Sequence, residues 1–269
     1  MARGRLARPT DAPPSAHAAR PPESDGTIGV APGPAADPTS GESAVPHHVA
    51  IIMDGNRRWA RSRALPELEG HAAGVEAIRA ILRHAVRRGI PVLTLYAFSR
   101  ENWARDDAEV RGLFGLLEAA IRSETAELKV QGVRIGLLGR LDELPEDTRR
   151  SIAAALAETE GGSRLRLNIA FNYAGRTEIV DAVRRLIEHG TRSEDVDEAA
   201  IEAALYTAGL PDPDVIIRTG GEQRLSNFLI WQAAYAELYT TEVLWPDFGP
   251  EAFDAALDEF ARRARRFGR

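Results

Sequence analysis

The stretch that decides the fold is His48-Val-Ala-Ile-Ile-Met-Asp-Gly-Asn-Arg-Arg-Trp-Ala-Arg61. Its first six residues form a short, nearly continuous apolar run, which is typical of a buried strand in a parallel sheet. An Asp-Gly pair ends the run, and arginines at a predicted helix start follow. Backbone N–H groups at a helix start bind phosphate, and arginine adds charge and a forked donor. The stretch therefore predicts a strand, a carboxylate and an anion site in direct succession.

Four further apolar runs occur along the chain, and helical patterns separate them. Strands that alternate with helices of this length indicate βαβ units. The sequence therefore predicts an α/β fold with a mostly parallel central sheet flanked by helices. The predicted strands are 48–53, 91–98, 133–138, 165–171 and 214–218, and the predicted helices are about 69–88, 108–131, 146–160, 176–189 and 251–266.

Residues 1–45 differ from the rest of the chain in composition. They are rich in Pro, Ala, Gly, Ser and Asp and contain few large apolar side chains. Such a segment buries too little surface to offset the entropy lost on ordering it. We expect residues 1–45 to form a disordered Pro/Ala-rich tail and residues 46–269 to form one folded domain.

Composition excludes several kinds of chemistry and of partner. The 269 residues include no cysteine, which rules out disulfides, thiolate metal sites and cysteine nucleophiles. Lys129 is the only lysine, so no candidate site has the lysine of a Schiff base or of a Walker motif. The net charge of −6 argues against general nucleic-acid binding, which usually needs a basic face. No apolar run approaches the roughly 20 residues of a bilayer span, so we expect a cytoplasmic location.

Polar, glycine-rich segments follow the predicted strands. In open α/β sheets, ligands bind beyond the carboxyl ends of the strands. We therefore expect the functional site where these segments meet. The four segments are 54–56, 99–103, 172–175 and 219–222.

Residues near two of these segments have structural as well as functional explanations. Arg218, Arg224 and Ser226 flank a glycine turn, and their clustering favours a second anion site over a solvated loop. Ser99 can cap the helix that follows it, so its segment is as typical of a helix entry as of a site. Glu237 lies in an aromatic-rich stretch and requires a metal or an arginine as its partner.

Several motifs together carry a resemblance to a known family. The motifs are HVAIIMDGNRRWAR (48–61), GHAAG (70–74), YAFSRENWAR (96–105), NYAGR (172–176), IRTGGEQRLSNFLIWQAAYAELY (217–239) and LWPDF (244–248). In these motifs and in their order, residues 46–269 resemble the catalytic domain of the cis-prenyltransferases, also called isoprenyl or undecaprenyl diphosphate synthases. The resemblance implies a homodimeric α/β fold with a hydrophobic tunnel. It also implies a magnesium-dependent enzyme that condenses isopentenyl diphosphate with an allylic diphosphate, forms a cis double bond and releases pyrophosphate.

Residue matching assigns expected roles within that family. Asp54 matches an essential aspartate and Mg²⁺ ligand, Glu237 a second metal-associated carboxylate, and Asn102 a position assigned as proton acceptor. Because an amide is hardly basic, we expect Asn102 to orient the substrate instead. The implied substrate-binding residues are Gly55, Asn56, Arg57, Arg58, Trp59 and His71 for the allylic diphosphate, Ser99, Arg100, Glu101, Trp103 and Arg105 on a substrate loop, and Arg218, Arg224, Leu225 and Ser226 for isopentenyl diphosphate.

Glu67 departs from the family pattern, since many members place a diphosphate-binding arginine there. A carboxylate facing a diphosphate would repel it. We expect Glu67 to turn away or to pair with Arg57 or Arg63, which would supply the missing charge at this substrate-binding position. At the C-terminus, Arg266 and Gly268 match an element that reaches the partner subunit's active site in relatives.

The sequence leaves alternatives open. The favoured function is synthesis of a lipid-carrier precursor, with a short-chain cis-farnesyl-type synthase or a non-catalytic partner subunit as alternatives. Ala97 is small where short-product relatives often carry a larger residue, which weakly favours a longer product. A long product would have to enter a bilayer, so transient contact with a membrane surface is expected.

Overall fold

The computed structural model describes residues 45–263. Almost all of the predicted tail, residues 1–44, and the C-terminal match at Arg266 and Gly268 lie outside the described residues. Within residues 45–263, no helix combines the length and the apolar character that crossing a membrane requires.

Strands and helices alternate between residues 45 and 263. The strands there are β1 (His48–Ile52), β2 (Val92–Ser99), β3 (Val133–Leu138), β4 (Leu165–Tyr173), β5 (Val215–Arg218) and β6 (Glu237–Thr240). The α-helices are α1 (Asn56–Ser62), α2 (Glu67–Arg88), α3 (Asp107–Val130), α4 (Glu146–Thr159), α5 (Gly175–Glu188), α6 (Glu198–Ala204) and α7 (Pro250–Arg262). A 3-10 turn at Arg100–Ala104 follows β2.

The strands form one sheet in the order β3-β4-β2-β1-β5-β6, and every neighbouring pair is parallel. The predicted α/β fold with a mostly parallel central sheet is therefore confirmed. β1 lies between β2 and β5, and all five of its residues are buried. A continuous apolar run suits this place because the strand is covered on both faces.

The sequence pattern predicts neither β6 nor α6. β6 has four residues, all half-buried, at the edge of the sheet, so it lacks the apolar signal of a central strand. α6 has seven residues and begins after Asp197, whose carboxylate accepts the N–H of Ala200. So short a helix shows too few turns for its periodicity to be recognised.

Side chains on both faces of the sheet are buried in separate clusters. Ile51 of β1 belongs to the cluster that contains Ile81 of α2 and Phe253 of α7. Its neighbour Ile52 belongs to the other cluster, with Phe228 from the loop after β5. This alternation follows from the two-residue repeat of a strand. Each fully buried side chain of this size contributes roughly 1.5–3 kcal/mol, so both faces hold the centre of the sheet in place.

The direction of the chain reverses beside β1. From β1 the chain passes to β2 on one side, whereas β5, on the other side of β1, leads outward to β6. Connections that leave neighbouring strands in opposite directions open a crevice at the carboxyl ends of those strands, where α/β proteins bind ligands. The segments after β1 and β5 therefore border the expected site.

A chain of buried polar side chains crosses three inner strands, β1, β2 and β4. His48 Nδ1 lies 2.7 Å from the carbonyl oxygen of Pro211, and Nε2 lies 2.7 Å from Thr94 Oγ1. Since a carbonyl only accepts, Nδ1 carries the proton and Nε2 accepts from the Thr94 hydroxyl. Asn168 Nδ2 donates to the same hydroxyl oxygen at 3.2 Å. Burial lowers the pKa of His48 from 6.5 to about 4, so the ring is neutral at physiological pH.

This histidine predicts a pH dependence of stability. Between pH 6.5 and about 4 the unfolded chain binds a proton at His48 that the folded chain does not, so the free energy of unfolding falls as the pH falls. At about 1.4 kcal/mol per pH unit, the loss is roughly 3 kcal/mol. We expect His48→Gln to remove this contribution, measured by urea unfolding across that range. Identical pH dependence in the wild type and the variant would contradict the assignment.

Candidate functional site

Asp54 lies at the carboxyl end of the central strand, where it meets a buried arginine. Its Oδ2 accepts a hydrogen bond from Arg218 Nη2 at 2.8 Å, and its Oδ1 lies 3.4 Å from Arg58 Nη2. The register of β1 and β5 pairs Ile52 with Arg218, which brings the arginine level with the segment after β1. Arg218 is 3% exposed, so its charge requires this partner.

Two glycine turns allow the segments after β1 and β5 to approach each other. Gly55 has φ 111°, a conformation that only glycine adopts readily, and a Cβ there would lie 2.9 Å from Leu244 Cδ2. Gly220 has φ 79°, and a Cβ there would lie 2.4 Å from Arg58 Nη2. Between them, Thr219 Oγ1 donates to the carbonyl oxygen of Asp54 at 2.7 Å.

Arg218 also fixes the loop that follows β5. Its Nη1 donates to Ser226 Oγ at 2.7 Å and to the carbonyl oxygen of Arg224. Ser226 has φ 48°, and left-handed backbone at a non-glycine residue is typical of a segment held by its surroundings. One guanidinium therefore connects Asp54, Arg224 and Ser226, three residues that the sequence places in two separate segments.

A polar pocket of about 510 Å³ lies where these segments meet. Six arginines and His71 border it, whereas Asp54 is the single carboxylate among its described wall residues. Such an excess of positive charge favours a polyanionic ligand, and guanidinium groups match phosphate geometry. The arginines are Arg57, Arg58, Arg61, Arg105, Arg218 and Arg224. The pocket walls also include Gly55, Asn56, Ser99, Asn102 and Ser226.

Glu67 pairs with the arginines of α1 at one rim of this pocket. Its Oε2 accepts from Arg57 Nε at 2.5 Å and its Oε1 from Arg61 Nε at 2.8 Å. The hydrogen bond from Arg57 holds the pKa of Glu67 below its usual value. The expected pairing with Arg57 is confirmed. The alternative prediction, that Glu67 pairs with Arg63, is wrong. Arg63 lies beyond the end of α1 and pairs with Asp247 at 3.2 Å.

His71 lies at the start of α2, where a carboxylate that the sequence pattern does not identify accompanies it. Its Nε2 lies 3.5 Å from Glu109 Oε1, and Arg105 Nη1 donates to the same oxygen at 2.8 Å. Burial lowers the pKa of His71, and the charge of Arg105 lowers it further. The four-residue spacing between Arg105 and Glu109 at a helix start is the signal that could have identified Glu109.

The loop after β2 divides its side chains between the pocket and the surrounding structure. Ser99 N donates to Asn102 Oδ1 at 3.0 Å, so the amide of Asn102 caps the 3-10 turn. Arg100 instead pairs with Glu143 at 2.5 Å, and Glu101 accepts from Asn227 at 2.8 Å. The neighbouring Trp103 donates its indole N–H to Asn172 Oδ1 at 2.8 Å. Three of the five predicted loop residues, Arg100, Glu101 and Trp103, therefore do not border the pocket.

The segment at 172–175 does not border the polar pocket, although the sequence predicts that it does. Asn172 is fully buried and donates to Glu143 Oε2 at 3.0 Å as well as accepting from Trp103. Asn172 therefore supports the loop after β2 through its hydrogen bond with Trp103. Its position at a strand end is not enough to place it in the site, because β4 is separated from β1 by β2.

Three other predicted site residues lie outside the pocket walls. Trp59 donates to Asp247 Oδ1 at 2.7 Å, on the other side of α1, and Leu225 packs against the cluster around Phe228. Glu237 pairs with Arg263 at 2.8 Å at the start of β6.

The position of Glu237 also separates it from Asp54. The sheet register makes Glu237 level with Val215 and Val49, and Asp54 follows Val49 by five residues. At about 3.3 Å per residue, this is roughly 16 Å along the sheet. Within one chain, therefore, Glu237 and Asp54 do not ligate one ion, and the metal role of Glu237 stays a prediction.

An apolar cavity adjoins the polar pocket. It has a volume of about 180 Å³ and lies between α2, α3 and the sheet. Its walls are mainly aliphatic, and five residues border both spaces. The shared residues are Met53, Asn56, His71, Ala97 and Leu113. A charged compartment next to an apolar one suits a ligand with an anionic head and a hydrocarbon tail.

Comparisons with known proteins agree with this architecture. Residues 52–268 match the prenyltransferase family model described as "Putative undecaprenyl diphosphate synthase". An isoprenyl transferase of Brucella suis is 50% identical over 227 residues, covering 83% of this chain and 89% of the relative. One of Porphyromonas gingivalis is 46% identical over 229 residues, covering 84% and 90%.

This chain belongs to the undecaprenyl diphosphate synthase family. The solved lavandulyl diphosphate synthase of Lavandula x intermedia, in complex with dimethylallyl diphosphate, superposes with a TM-score of 0.81 at 39% identity, covering 84% of this chain and 99% of that one. A probable undecaprenyl diphosphate synthase of Campylobacter jejuni superposes with 0.71 at 32% identity, covering 83% and 99%. The protein is therefore a prenyltransferase, and its activity is cis-prenyl chain elongation. Neither the short-chain synthase nor the non-catalytic partner is favoured.

Among its described wall residues, the polar pocket of this prenyltransferase offers one carboxylate, Asp54, as a ligand for Mg²⁺. Among residues 45–263, no group of three or more His, Cys, Asp or Glu side chains could hold a metal ion. An all-protein metal cage is thus not built in this part of the chain. Mg²⁺, however, is usually held by one or two carboxylates together with substrate phosphates and water. The single carboxylate of Asp54 within an arginine-rich pocket fits that mode of binding.

The contacts of Glu67 predict a difference between two substitutions in this prenyltransferase. Both Glu67→Ala and Glu67→Gln remove the negative charge, but only Gln keeps an acceptor for Arg57 Nε. Because exposed pairs contribute up to about 1 kcal/mol, we expect KM for the allylic diphosphate to be roughly two- to fivefold higher for the Ala variant than for the Gln variant. Steady-state kinetics with a fixed excess of isopentenyl diphosphate measures this ratio. KM values of both variants equal to that of the wild type would make Glu67 a bystander.

Proposed function

We propose that this chain condenses isopentenyl diphosphate with an allylic diphosphate at the junction of the polar pocket and the apolar cavity. The observation that carries the proposal is the set of residues shared by the two spaces, with Ala97 and Leu113 among them. An allylic diphosphate has an anionic head and a hydrocarbon tail. The arrangement suits its head in the arginine-rich pocket and its tail in the aliphatic cavity.

Two cationic groups within the pocket suit two diphosphates. We assign the allylic diphosphate to Arg57 and Arg105 beside His71, next to the entrance of the apolar cavity. We assign isopentenyl diphosphate to Arg224 and Ser226, which Arg218 holds in place. The complex of the similar lavandulyl diphosphate synthase with dimethylallyl diphosphate supports an allylic diphosphate as one ligand class.

We further propose that Asp54 holds a magnesium ion together with a substrate diphosphate. When bound there, magnesium neutralises charge on the diphosphate. In the structure, Arg218 and Arg58 contact the Asp54 carboxylate. Arg218 is held independently by Ser226 and the Arg224 carbonyl, so its position does not depend on Asp54 alone.

In the proposed reaction, the C–O bond of the allylic diphosphate breaks and its electron pair leaves with pyrophosphate. The double bond of isopentenyl diphosphate supplies the electrons of the new C–C bond, and a proton then leaves to form the cis double bond. Arg57 and Arg105 stabilise the negative charge that develops on the leaving group. Since the amide of Asn102 caps the turn after Ser99, we propose that it orients the substrate and that the released diphosphate accepts the proton.

We also propose that the protein is a homodimer and that α5 forms part of its interface. Val180, Val183 and Ile187 form an apolar stripe at helical spacing, and their exposures are 47%, 41% and 69%. On the inner side of the same helix, Ile179 and Leu186 pack toward α6. A helix with apolar side chains on both its inner and its outer side is typically buried on both. In a homodimer, the second subunit would cover the outer side of α5.

The cellular setting follows from the product. A long prenyl diphosphate has to leave the apolar cavity for a bilayer, so we propose a cytoplasmic enzyme that contacts a membrane surface transiently. The proposed product is a lipid-carrier precursor.

One assay tests the proposed function directly. The purified protein is incubated with magnesium, labelled isopentenyl diphosphate and either geranyl or farnesyl diphosphate, and the products are resolved by chain length. We expect label in polyprenyl products whose new double bonds are cis by NMR. Failure to incorporate label with either primer would overturn the proposal.

Asp54 predicts a loss of catalysis that differs from a loss of folding. Asp54→Asn keeps the size of the side chain and one acceptor for Arg218 but removes the charge, so we expect kcat to fall by on the order of 10²–10³-fold. The magnesium concentration for half-maximal rate should rise. Asp254→Asn is the matched control, because Asp254 pairs with His84 away from the pocket. Similar rates for Asp54→Asn and the control would contradict the role of Asp54.

The α5 stripe predicts a change of assembly. Ile187→Glu places a charge on the proposed interface, so we expect the variant to sediment as a monomer where the wild type sediments as a dimer. Glu188→Gln, on the neighbouring exposed position of the same helix, should leave the dimer intact. If Ile187→Glu sediments like the wild type, the interface lies elsewhere.

A further inference from the structure

The apolar cavity extends away from the polar pocket between α2 and α3. α2 contributes Val75, Ile78 and Leu82 to its walls, and α3 contributes Leu117 and Ile121. These aliphatic side chains recur at three- and four-residue spacing, so each helix presents one continuous stripe to the cavity. Only hydrocarbon is expected to be stable along this part of the wall.

Two ion pairs between α2 and α3 interrupt the aliphatic walls, and the less exposed of them joins Arg79 to Glu124. Arg79 of α2 and Glu124 of α3 both border the cavity, and Arg79 Nη2 lies 2.7 Å from Glu124 Oε1. Their side chains are 29% and 20% exposed, so the pair is largely covered. Glu76 contacts the same guanidinium from the preceding turn of α2. The pair thus joins the two helices along the seam that encloses the cavity.

The pair lies some distance from the polar pocket. Arg79 follows His71 by eight residues on α2, which at 1.5 Å per residue is roughly 12 Å. Glu124 follows Leu113 by eleven residues on α3, roughly 16 Å by the same rise. A hydrocarbon chain whose head is held beside His71 would therefore reach the pair only after it has grown along the cavity.

Arg79 is held here at an energetic cost. Its Nε is buried and finds no hydrogen-bond partner among the described residues. A buried unpaired donor is unfavourable and is uncommon in native structures. An apolar pair at these positions would fill the seam without that cost. The retained ion pair therefore suggests that something must be kept out of the seam.

We propose that the Arg79–Glu124 ion pair closes the seam between α2 and α3 against the growing prenyl chain and so limits the length of the product. The proposal rests on the proposed function and deepens it. A hydrocarbon chain that entered the seam would separate the two charges and leave them against an apolar surface. That separation is unfavourable, so elongation ends when the chain has filled the space inside the closed seam.

The test is a double substitution that makes the seam apolar. In Arg79→Leu/Glu124→Leu, neither charge is left unpaired, and the chain can pack along the new leucines. With magnesium, labelled isopentenyl diphosphate and farnesyl diphosphate, we expect the most abundant product to lengthen by at least one isoprene unit relative to the wild type. Product lengths are read by chromatography after removal of the diphosphate.

A matched control lies one turn further along the same seam. Arg83 and Glu127 also join α2 to α3, at 3.0 Å, but their side chains are 51% and 44% exposed. Both residues border the cavity as well, so Arg83→Leu/Glu127→Leu makes the same change of charge and volume at the more exposed end of the seam. We expect its products to have the wild-type length distribution.

The outcomes separate this inference from the proposed function. No incorporation by the wild type would overturn the proposed function and this inference with it. Incorporation by both proteins with identical length distributions would overturn this inference alone, as would lengthening in the Arg83→Leu/Glu127→Leu control but not in Arg79→Leu/Glu124→Leu. Should thermal unfolding show that Arg79→Leu/Glu124→Leu does not fold, Glu124→Gln decides, because it keeps the shape and removes one charge. Longer products from that variant support the proposal, and unchanged products overturn it.

Discussion

The pairing of Arg218 with Asp54 is the interaction on which the rest of the site depends. Arg218 ends a buried strand and is 3% exposed, so its charge must be neutralised within the protein. The parallel register of β1 and β5 provides the neutralising carboxylate at 2.8 Å. Nη1 of Arg218 holds Ser226 and the Arg224 carbonyl. One buried cation thereby connects the central strand, the glycine turn after β5 and the loop beyond it.

Around that connection, a pocket rich in positive charge lies directly beside an apolar cavity. The polar pocket concentrates arginines, which repel one another unless carboxylates or a ligand intervene. Glu67 and Glu109 supply part of that balance, through Arg57 and Arg105 respectively. The adjoining cavity has walls that are mainly aliphatic. Ala97 and Leu113 border both spaces, so a single amphiphilic ligand can occupy both at once.

Much of the fold could be predicted from the sequence because the buried strands carry strong local signals. The apolar run before Asp54 and four others are strands in the structure, and their alternation with helices predicts the parallel sheet. β6 could not be recognised, because its residues are half-buried and its place is set by pairing with β5. Local pattern describes a strand well when the core surrounds it and poorly at the edge of a sheet.

The candidate site was predictable where its residues are close in sequence or opposite in charge. The pairing of Glu67 with an arginine follows from charge alone, but the choice between Arg57 and Arg63 depended on where α1 ends. Asn172 follows a strand end yet lies behind the loop that it supports, since strand order decides which ends meet. The charged residues can be identified from the sequence, whereas the order of the strands decides which of them lie in the same pocket.

We propose that the polar pocket and the apolar cavity together form one binding site for a prenyl diphosphate. A crystal structure with magnesium and an unreactive thiodiphosphate analogue of farnesyl diphosphate tests it most directly. We expect the diphosphate to bind among Arg57, Arg105 and Asp54 and the farnesyl chain to pass Ala97 into the space between α2 and α3. A diphosphate bound elsewhere, or a farnesyl chain that leaves the cavity empty, would contradict it.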